Sequence, residues 1–437
     1  MLIKSDKYFK ENLTNILKNG YRDENPRPKY ESDNAPAHTI ALNQIVESYD
    51  LNKNEFPFSL ARPIAVKTGI KEILAIYQGQ LNTRESFEEY GVTWWKSWFK
   101  EDGTLGTSYP YNLESGRSNE VIRQIVTLKP KLIDEKYKEL KDIPVNRTEY
   151  NIGYLDGYEE ISYFNKEEKE KLLHCWRYLL KRSIESNEYF MHQDWHSFKQ
   201  FLLDLPYIPQ FHLAKENNFK NWRLTNFYYK SNCISKDTVV FLSEEDISKY
   251  SFSNEFKLNE DGSFKRYELS RNQLNDLIHN LKVDKYSRHN MISLWNWQTI
   301  TRKALWECAY ETLWSCRNEN GEVYLDMTLI QRSNDVAVAG HINKLQYSVF
   351  LLMIANQCGY KPGKFVHFVQ NFHIYDRHIE QVKEILRRLD ELENTNCIQP
   401  KIVLKGNKDF YNITIDDFEI IDYYPYQGEK LTFELGI

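Results

Sequence analysis

Apolar residues recur every three to four positions in several stretches, and this period predicts helices with a buried face. IKEILAIYQG at 70–79 and RNQLNDLIHNLK at 271–282 follow it. LQYSVFLLMIANQCG at 345–359 is apolar on nearly every side and ends at Gly359, which indicates a core helix with a glycine C-cap. These stretches predict helices that cover a common core.

Other stretches predict strands. VYLDMTLIQ at 323–331 and HNMISLWNW at 289–297 are short, rich in β-branched and aromatic residues, and read as strands. The tail at 411–437 alternates apolar and polar residues like a pair of strands, whereas DRHIEQVKEILRRLDEL at 376–392 reads as an amphipathic helix with a charged face. The first third and the last third together predict an α+β fold.

The middle of the chain differs from the rest in its sequence pattern. Long charged helical stretches such as NKEEKEKLLHCWRYLLKR dominate it, and the turn signal NEDGSF closes it. We therefore predict that residues 114–264 are an inserted, mostly helical α+β domain. It would interrupt one domain built from residues 1–113 and 265–437.

Composition narrows the possible functions. With 437 residues and 41% hydrophobic content the chain can bury a full core, and a formal charge of −5 predicts no chain-wide attraction to nucleic acid or anionic membranes. No window is apolar enough to span a membrane, so we expect a cytoplasmic protein. The six cysteines form no C-x-x-C pair, which argues against a zinc site and a disulfide framework.

QRSND at 331–335 is the first candidate for chemistry. An arginine beside a serine can grip a phosphate, and its fixed charge lowers the pKa of a nearby thiol. Taken alone, however, such a motif is more often an ordinary strand end with an exposed arginine. Its significance therefore depends on the rest of the chain.

Five blocks occur in one order, and each resembles a block of the thymidylate synthase family: SRHNMISLWNW, ECAYETLW, QRSND, GHINKLQY and FHIY. The resemblance covers 1–113 and 265–437 and is nearest to a divergent branch found in bacilli and their phages. It implies a mixed twisted sheet that carries a nucleotide cleft and is covered by helices, in a homodimer packed sheet against sheet. For a phage protein, the location would be the host cytoplasm.

The resemblance also implies a reaction. The C5 carbon of uracil is a poor nucleophile, so the enzyme first adds a thiolate to C6, and C5 then attacks a one-carbon electrophile. Cys308 is the implied nucleophile, while we assign Cys316 to packing. The implied activity is reductive methylation of dUMP to dTMP, with 5,10-methylenetetrahydrofolate as carbon donor and hydride source and with no metal.

The resemblance implies which residues contact the phosphate, the base and the sugar of the nucleotide. Phosphate contacts would come from Arg27, Arg332 and Ser333, and from Arg288 across the dimer interface. Asn343 would read the base, since one amide can donate to O4 and accept from N3–H of uracil, whereas related cytosine hydroxymethylases carry aspartate there. The sugar 3′-hydroxyl would be bound by His373 and Tyr375.

Other residues have expected roles in folate binding and in proton transfer. Glu72 sits among apolar neighbours, where burial would raise its pKa and suit it to move protons through water. By the resemblance, Tyr109 assists removal of the C5 proton, and Asp335 bonds the pterin. Cofactor contacts are expected from the flat faces of Trp95 and Trp98 and from the terminal carboxylate of Ile437, which would close over the site.

Several positions depart from the family pattern. They are Ala309 and Leu313 near the nucleophile, Pro110 after the tyrosine, Asn371 before the histidine block, and Arg62 and Pro63 in a loop that usually contains lysine. These changes affect the folate side more than the nucleotide side. A dUMP hydroxymethylase, in which water captures the methylene carbon in place of hydride, is therefore an alternative.

The inserted segment weakly resembles a degenerate HNH-type endonuclease domain of phages. This resemblance rests on a W-x-x-F-x-x-F pattern at 195–201 and a Y-x-x-x-N-C turn at 228–233. Between them only His212 is a candidate for metal binding, and no complete set of ligands and a base can be assembled. A further alternative is thus a protein that contacts nucleic acid weakly through this insert, which salt-dependent binding would reveal.

Overall fold

The computed structural model describes residues 1–114, 124–125, 153–155, 157–185, 189–226, 233–244, 268–269 and 272–436. The chain divides into two compact units, Met1–Asn112 with Leu277–Ile437, and Leu113–Asp276. The NEDGSF turn and Ile437 lie outside the described residues. The boundaries of the inserted domain, 114–264, stay a prediction.

A six-stranded mixed sheet forms the centre of the first unit. Its strands are β1 (Tyr21–Arg22), β2 (Thr39–Asp50), β3 (Met291–Ser293), β4 (Ala309–Glu319), β5 (Glu322–Asp335) and β6 (Lys361–Tyr375). The spatial order is β1-β2-β6-β5-β4-β3, in which β5 and β6 are parallel and all other neighbours are antiparallel. A separate antiparallel pair joins β7 (Lys401–Leu404) to β8 (Phe418–Ile421).

Six α-helices lie outside the insert among the described residues, and four of them fall in the stretches where the sequence predicts helices. They are α1 (Lys4–Asn19), α2 (Val66–Leu74), α3 (Arg84–Glu89), α4 (Gln273–Val283), α5 (Gly340–Cys358) and α6 (Ile379–Glu393). On α6 the buried residues Val382, Ile385 and Leu389 share one face, as the predicted amphipathic period requires. No helix of the described ranges is long and apolar enough to cross a membrane.

The parallel pair β5 and β6 requires a crossover connection, and α5 supplies it. Along β5, Leu325, Met327 and Leu329 are buried at every second position, as expected of a strand with one face in the core. Gln331 continues this buried face with a polar side chain. A polar group in that position needs hydrogen-bond partners, which makes this end of β5 the first structural sign of a site.

The predicted α+β class with a mixed sheet is confirmed, but two predicted strands are shorter than the pattern indicates. Of the stretch 289–297, only Met291–Ser293 pairs, and a 3-10 turn follows at Trp297–Arg302. The tail forms strand only at Phe418–Ile421. Its later residues are held mainly by side-chain contacts and by one bridge, Tyr30 to Gly436, so alternation alone overestimated the strand.

The second unit has its own described elements. They are helices Lys166–Glu185, Phe198–Asp204 and Phe211–Glu216, and the strand pairs Gln124–Ile125 with Glu268–Leu269, Phe190–Met191 with Cys233–Ile234, and Trp222–Thr225 with Val240–Ser243. Trp195, Phe198 and Phe201, the aromatic residues of the W-x-x-F-x-x-F pattern, lie in its hydrophobic core with Trp176. His212, only 1% exposed, packs edge-on against Phe211 in the same interior.

Gly359 offers a test of how α5 ends. Its φ of +71° lies in the left-handed region, and a Cβ at this position would meet nothing within 4 Å. Gly359→Ala should therefore lower the free energy of unfolding by about 1 kcal/mol through backbone strain alone. Urea unfolding should show a smaller loss for Gly359→Asn, because asparagine tolerates this conformation; equal losses would argue against a backbone origin.

Candidate active site

Cys308 lies immediately before β4, and Arg332 of β5 holds the backbone around it. The Arg332 backbone N–H donates to the Cys308 carbonyl at 2.9 Å. Its guanidinium donates to the carbonyls of Glu307 at 2.9 Å and Trp306 at 2.8 Å, and Nη2 lies 3.6 Å from the Cys308 Sγ. One arginine thus fixes the segment that carries the thiol and also supplies the thiol with a cation.

Three effects act on the pKa of the Cys308 thiol. Burial raises its pKa, the Arg332 guanidinium lowers it, and the nearby Glu307 carboxylate raises it further. The net shift is upward. The influence of Arg332 on the pKa therefore has the expected direction, but desolvation of the thiol is the larger effect.

Tyr109 is coupled to the same thiol segment at two atoms. Its hydroxyl oxygen accepts from the Cys308 backbone N–H at 3.1 Å, and its own N–H donates to Glu307 Oε1 at 2.8 Å. Burial raises the pKa of the Tyr109 phenol well above its usual value, so the hydroxyl keeps its proton. The residue has a φ of +44° immediately before Pro110, a strained backbone of the kind found at functional sites.

Glu307 is a residue of this site that the sequence analysis missed. It is fully buried, forms an ion pair with the equally buried Lys303, and accepts from Asn112 Nδ2 at 3.1 Å. A buried carboxylate requires such partners, and it holds Tyr109 beside the cysteine segment. The signal available in the sequence was an acidic residue next to the cysteine, four positions after a lysine.

Asn343, in the first turn of α5, belongs to a chain of side-chain amides. Gln331 Nε2 donates to Asn343 Oδ1 at 3.1 Å and to the Ser333 carbonyl at 3.0 Å. Asn343 Nδ2 donates in turn to Gln346 Oε1 at 3.1 Å. The sequence predicted Asn343 and Ser333 but missed both glutamines, which determine the orientation of the asparagine amide.

Glu72 lies on α2, just before a single π-helical turn at Ala75–Gly79. Burial raises the pKa of its carboxyl to about 7, and the nearby side chains of Trp95, Gln346 and Trp94 oppose this rise. The predicted rise in pKa is therefore present. A carboxyl with this pKa can both accept and release a proton near neutral pH.

His373 and Tyr375 point from the end of β6. His373 Nδ1 lies 2.8 Å from Asn371 Oδ1, while Asn371 Nδ2 donates to the Tyr21 hydroxyl at 3.1 Å. Burial lowers the pKa of His373 to about 4, so the ring is neutral, carries its proton on Nδ1 and leaves Nε2 as an acceptor. Asn371, a departure from the family pattern, therefore still orients this histidine.

The tail reaches the same edge of the sheet. The Tyr375 hydroxyl donates to the Gly436 carbonyl at 3.2 Å, and Arg377 Nη1 donates to Glu434 at 2.9 Å. His378 Nε2 lies 2.7 Å from the Glu434 carbonyl. The residues preceding Ile437 are thus fixed beside Tyr375, although Ile437 itself lies outside the described part of the chain.

Asp335 ends β5 near Arg62. Burial raises the pKa of the Asp335 carboxyl to about 7, while the Val338 N–H at 3.3 Å and the Arg62 charge oppose the rise. Arg62 donates to the Val338 carbonyl at 2.9 Å. The arginine of this divergent loop is therefore a structural neighbour of the predicted pterin-binding carboxylate.

The remaining predicted residues differ in their surroundings. Trp95 is buried, with its ring centroid 5.2 Å from that of Tyr109 and 5.9 Å from that of the half-buried Trp98. Arg27 and Arg288 are exposed. The charge of Arg27 acts on Tyr375, but neither arginine belongs to the Cys308 cluster.

The comparisons with known proteins agree with this geometry. A family model described as Thymidylate synthase matches residues 7–151 and 180–435. Relatives called Thymidylate synthase from Streptococcus pneumoniae and Streptococcus thermophilus are 28% and 27% identical over the full length of both chains. The fold is similar to that of thermostable thymidylate synthase A from Bacillus subtilis, with a TM-score of 0.56, 22% identity and 99% of each chain covered. The resemblance to the thymidylate synthase family that the sequence indicated is confirmed.

Removal of the Arg332 charge should raise the pKa of the Cys308 thiol further. Below that pKa each added unit reduces the thiolate fraction, and hence the rate of alkylation, about tenfold. We expect Arg332→Met to shift the pH profile of iodoacetamide labelling at Cys308, followed by peptide mass spectrometry, to higher pH. Arg387→Met, an exposed arginine on α6, serves as control, and an unshifted Arg332→Met profile would contradict the assignment.

Glu72 should make folding less favourable as pH rises. Its folded-state pKa of about 7 exceeds the ordinary glutamate pKa of 4.5, so the folded state binds the proton more tightly and stability falls as the pH rises between these two values. Glu72→Gln removes this penalty and should gain about 3 kcal/mol over wild type at pH 8 but little at pH 4.5. Urea unfolding at pH 8 and at pH 4.5 measures this gain, and Glu89→Gln, at an exposed position, is the control. An equal gain in the free energy of unfolding at the two pH values would contradict the prediction.

Proposed function

The chain belongs to the thymidylate synthase family, and from this premise we propose that it converts dUMP to dTMP with 5,10-methylenetetrahydrofolate, through a covalent bond between Cys308 Sγ and C6 of the uracil ring. Membership of the family makes the chain an enzyme of the methyltransferase class. The observation that carries the proposal is the cluster of Cys308, Arg332 and Tyr109 at the ends of β4 and β5.

Arg332 would promote formation of the reactive Cys308 thiolate. Because burial favours the neutral thiol, an added positive charge near Sγ is needed, and Arg332 Nη2 at 3.6 Å supplies it. When the thiolate adds to C6, the electron pair of the C5–C6 double bond moves toward C5 and the O4 carbonyl. C5 thereby becomes nucleophilic and can attack the one-carbon unit.

Glu72 and Tyr109 would handle the protons. The Glu72 carboxyl, with a pKa near 7, can exchange a proton with the O4 side of the ring through water, and Asn343 would hold that edge of the base. Tyr109 would assist removal of the C5 proton after the new carbon–carbon bond forms. The co-substrate supplies both the carbon and, as it becomes dihydrofolate, the hydride that completes the methyl group.

The remaining contacts follow from charge and position. Arg332 and Ser333, with Arg27 and with Arg288 of a second copy, would bind the phosphate dianion by charge-assisted hydrogen bonds in a homodimer. His373 and the Tyr375 hydroxyl would bind the sugar 3′-hydroxyl, which can donate its one hydrogen to His373 Nε2. Trp95, Trp98, Asp335 and the carboxylate of Ile437 would line the folate side.

We further propose that residues 114–264 fold as an inserted domain. The described part of this stretch has its own core around Trp176 and Trp195. Its aromatic pattern at 195–201 is used for packing, and His212 is buried with it. This supports a structural role for the insert rather than a nuclease site.

Incubation of the purified protein with dUMP and methylenetetrahydrofolate tests the proposed reaction. We expect dTMP and dihydrofolate by mass spectrometry, and Cys308→Ala should lower the rate by at least about a thousandfold, because C5 of uracil stays a poor nucleophile without the thiolate adduct at C6. Cys316→Ala, on β4 eight residues away, is the matched control and should retain activity. Hydroxymethyl-dUMP with tetrahydrofolate would instead identify the hydroxymethylase, and equal rates for both cysteine variants would reject the covalent role.

A further inference from the structure

His367 on β6 extends the amide chain beneath Asn343 into the core. Its Nε2 lies 2.8 Å from Gln331 Oε1, and the histidine and Gln331 are each 1% exposed. Gln331 therefore has three polar neighbours: His367, the Ser333 carbonyl and Asn343 Oδ1. The two hydrogens of its amide nitrogen and its oxygen are all used.

The Ser333 carbonyl shows which end of the Gln331 amide is the nitrogen. A backbone carbonyl can only accept, so the Gln331 atom that faces it at 3.0 Å must be the amide nitrogen. The second hydrogen of that nitrogen then points at Asn343, which must present its oxygen. Asn343 Nδ2 consequently faces Gln346 Oε1, so the donor and acceptor ends of all three amides can be assigned.

The same logic assigns the proton of His367. Gln331 Oε1 can only accept, so the histidine must donate from Nε2. Burial lowers the pKa of His367 to about 3, although the carboxylate of Glu47 acts in the opposite direction, and the ring therefore carries a single proton. That proton is on Nε2, so rotation of the Gln331 amide would break its bond to His367 as well as its bond to the Ser333 carbonyl.

The orientation of the Asn343 amide decides which base it can bind. After its two bonds to the glutamines, Asn343 retains one N–H donor and one oxygen lone pair. In the observed orientation these complement O4 and N3–H of uracil. If the amide rotated by half a turn, the donor and acceptor would exchange places and would match N3 and the amino group of cytosine.

We propose that His367 is a positioning residue for substrate specificity: its Nε2–H locks Gln331 and, through it, the Asn343 amide in the orientation that selects uracil over cytosine nucleotides. This inference rests on the proposed function, in which Asn343 contacts the base. His367 would touch no substrate atom and would act only through Gln331.

Two substitutions at position 367 separate a hydrogen-bonding role from a packing role. His367→Phe keeps an aromatic ring beside Phe365, with which His367 is stacked, but removes the donor. His367→Gln restores a nitrogen donor at about the position of Nε2 and loses the ring. If His367 mattered only for packing, the phenylalanine variant would be the milder one. If it matters as a donor, the glutamine variant is the milder one.

The matched control is His341→Phe. His341 is also a buried histidine of this unit, 1% exposed, and its ring centroid lies 4.4 Å from that of Phe9. It is not one of the three polar neighbours of Gln331. Loss of a buried histidine proton in general is therefore separated from loss of the bond to Gln331.

The measurement is the ratio of the Kd for dCMP to the Kd for dUMP, determined by calorimetry on the full chain, with dTMP formation measured in parallel. We expect His367→Phe to lower this ratio about tenfold, and His367→Gln and His341→Phe to keep it within about threefold of wild type. The inference is overturned if wild type does not discriminate, if His367→Phe discriminates fully, or if His367→Gln loses as much as His367→Phe. Wild type that discriminates but forms no dTMP would refute the proposed reaction and leave the role of His367 standing.

Discussion

The parallel pairing of β5 with β6 is the constraint on which the candidate site depends. Ser333 lies opposite Asn371, and Asp335 opposite His373, so residues some forty positions apart share one edge of the sheet. Because parallel neighbours need a crossover, α5 must follow β5 directly, and its first turn brings Asn343 to the same edge. A slip of one residue in this register would turn Gln331 away from the core and separate it from both His367 and Asn343.

The site consists of buried polar groups. Burial of each group alone would be unfavourable, but together they supply one another with hydrogen-bond and ion-pair partners. Glu307 is compatible with its interior position because Lys303, Asn112 and the Tyr109 backbone all contact it. Glu72 has less compensation, and its raised pKa shows that ionisation in this environment is costly. A reaction that moves protons near neutral pH benefits from such a carboxyl, although the folded protein is less stable for it.

Departures from the family pattern are accommodated locally. Asn371 orients His373 with a neutral amide, and Arg62 bonds the loop after Asp335. Tyr109 keeps a left-handed backbone even though proline follows it, because Glu307 holds its N–H. In each case a neighbouring residue of this chain supplies the contact, which supports an intact site in a divergent member of the family.

The sequence by itself determined the family, the fold class and most of the helices, because these depend on local period and on the order of short motifs. It also predicted roles for Cys308, Arg332, Asn343 and Glu72, since their residue types suit the chemistry that the resemblance implies. Only the tertiary structure decided that the Cys308 pKa rises and that His367 and Gln331 orient Asn343. Desolvation and hydrogen-bond direction depend on which distant residues surround a group, and that information exists only once the strands are paired and the core is closed.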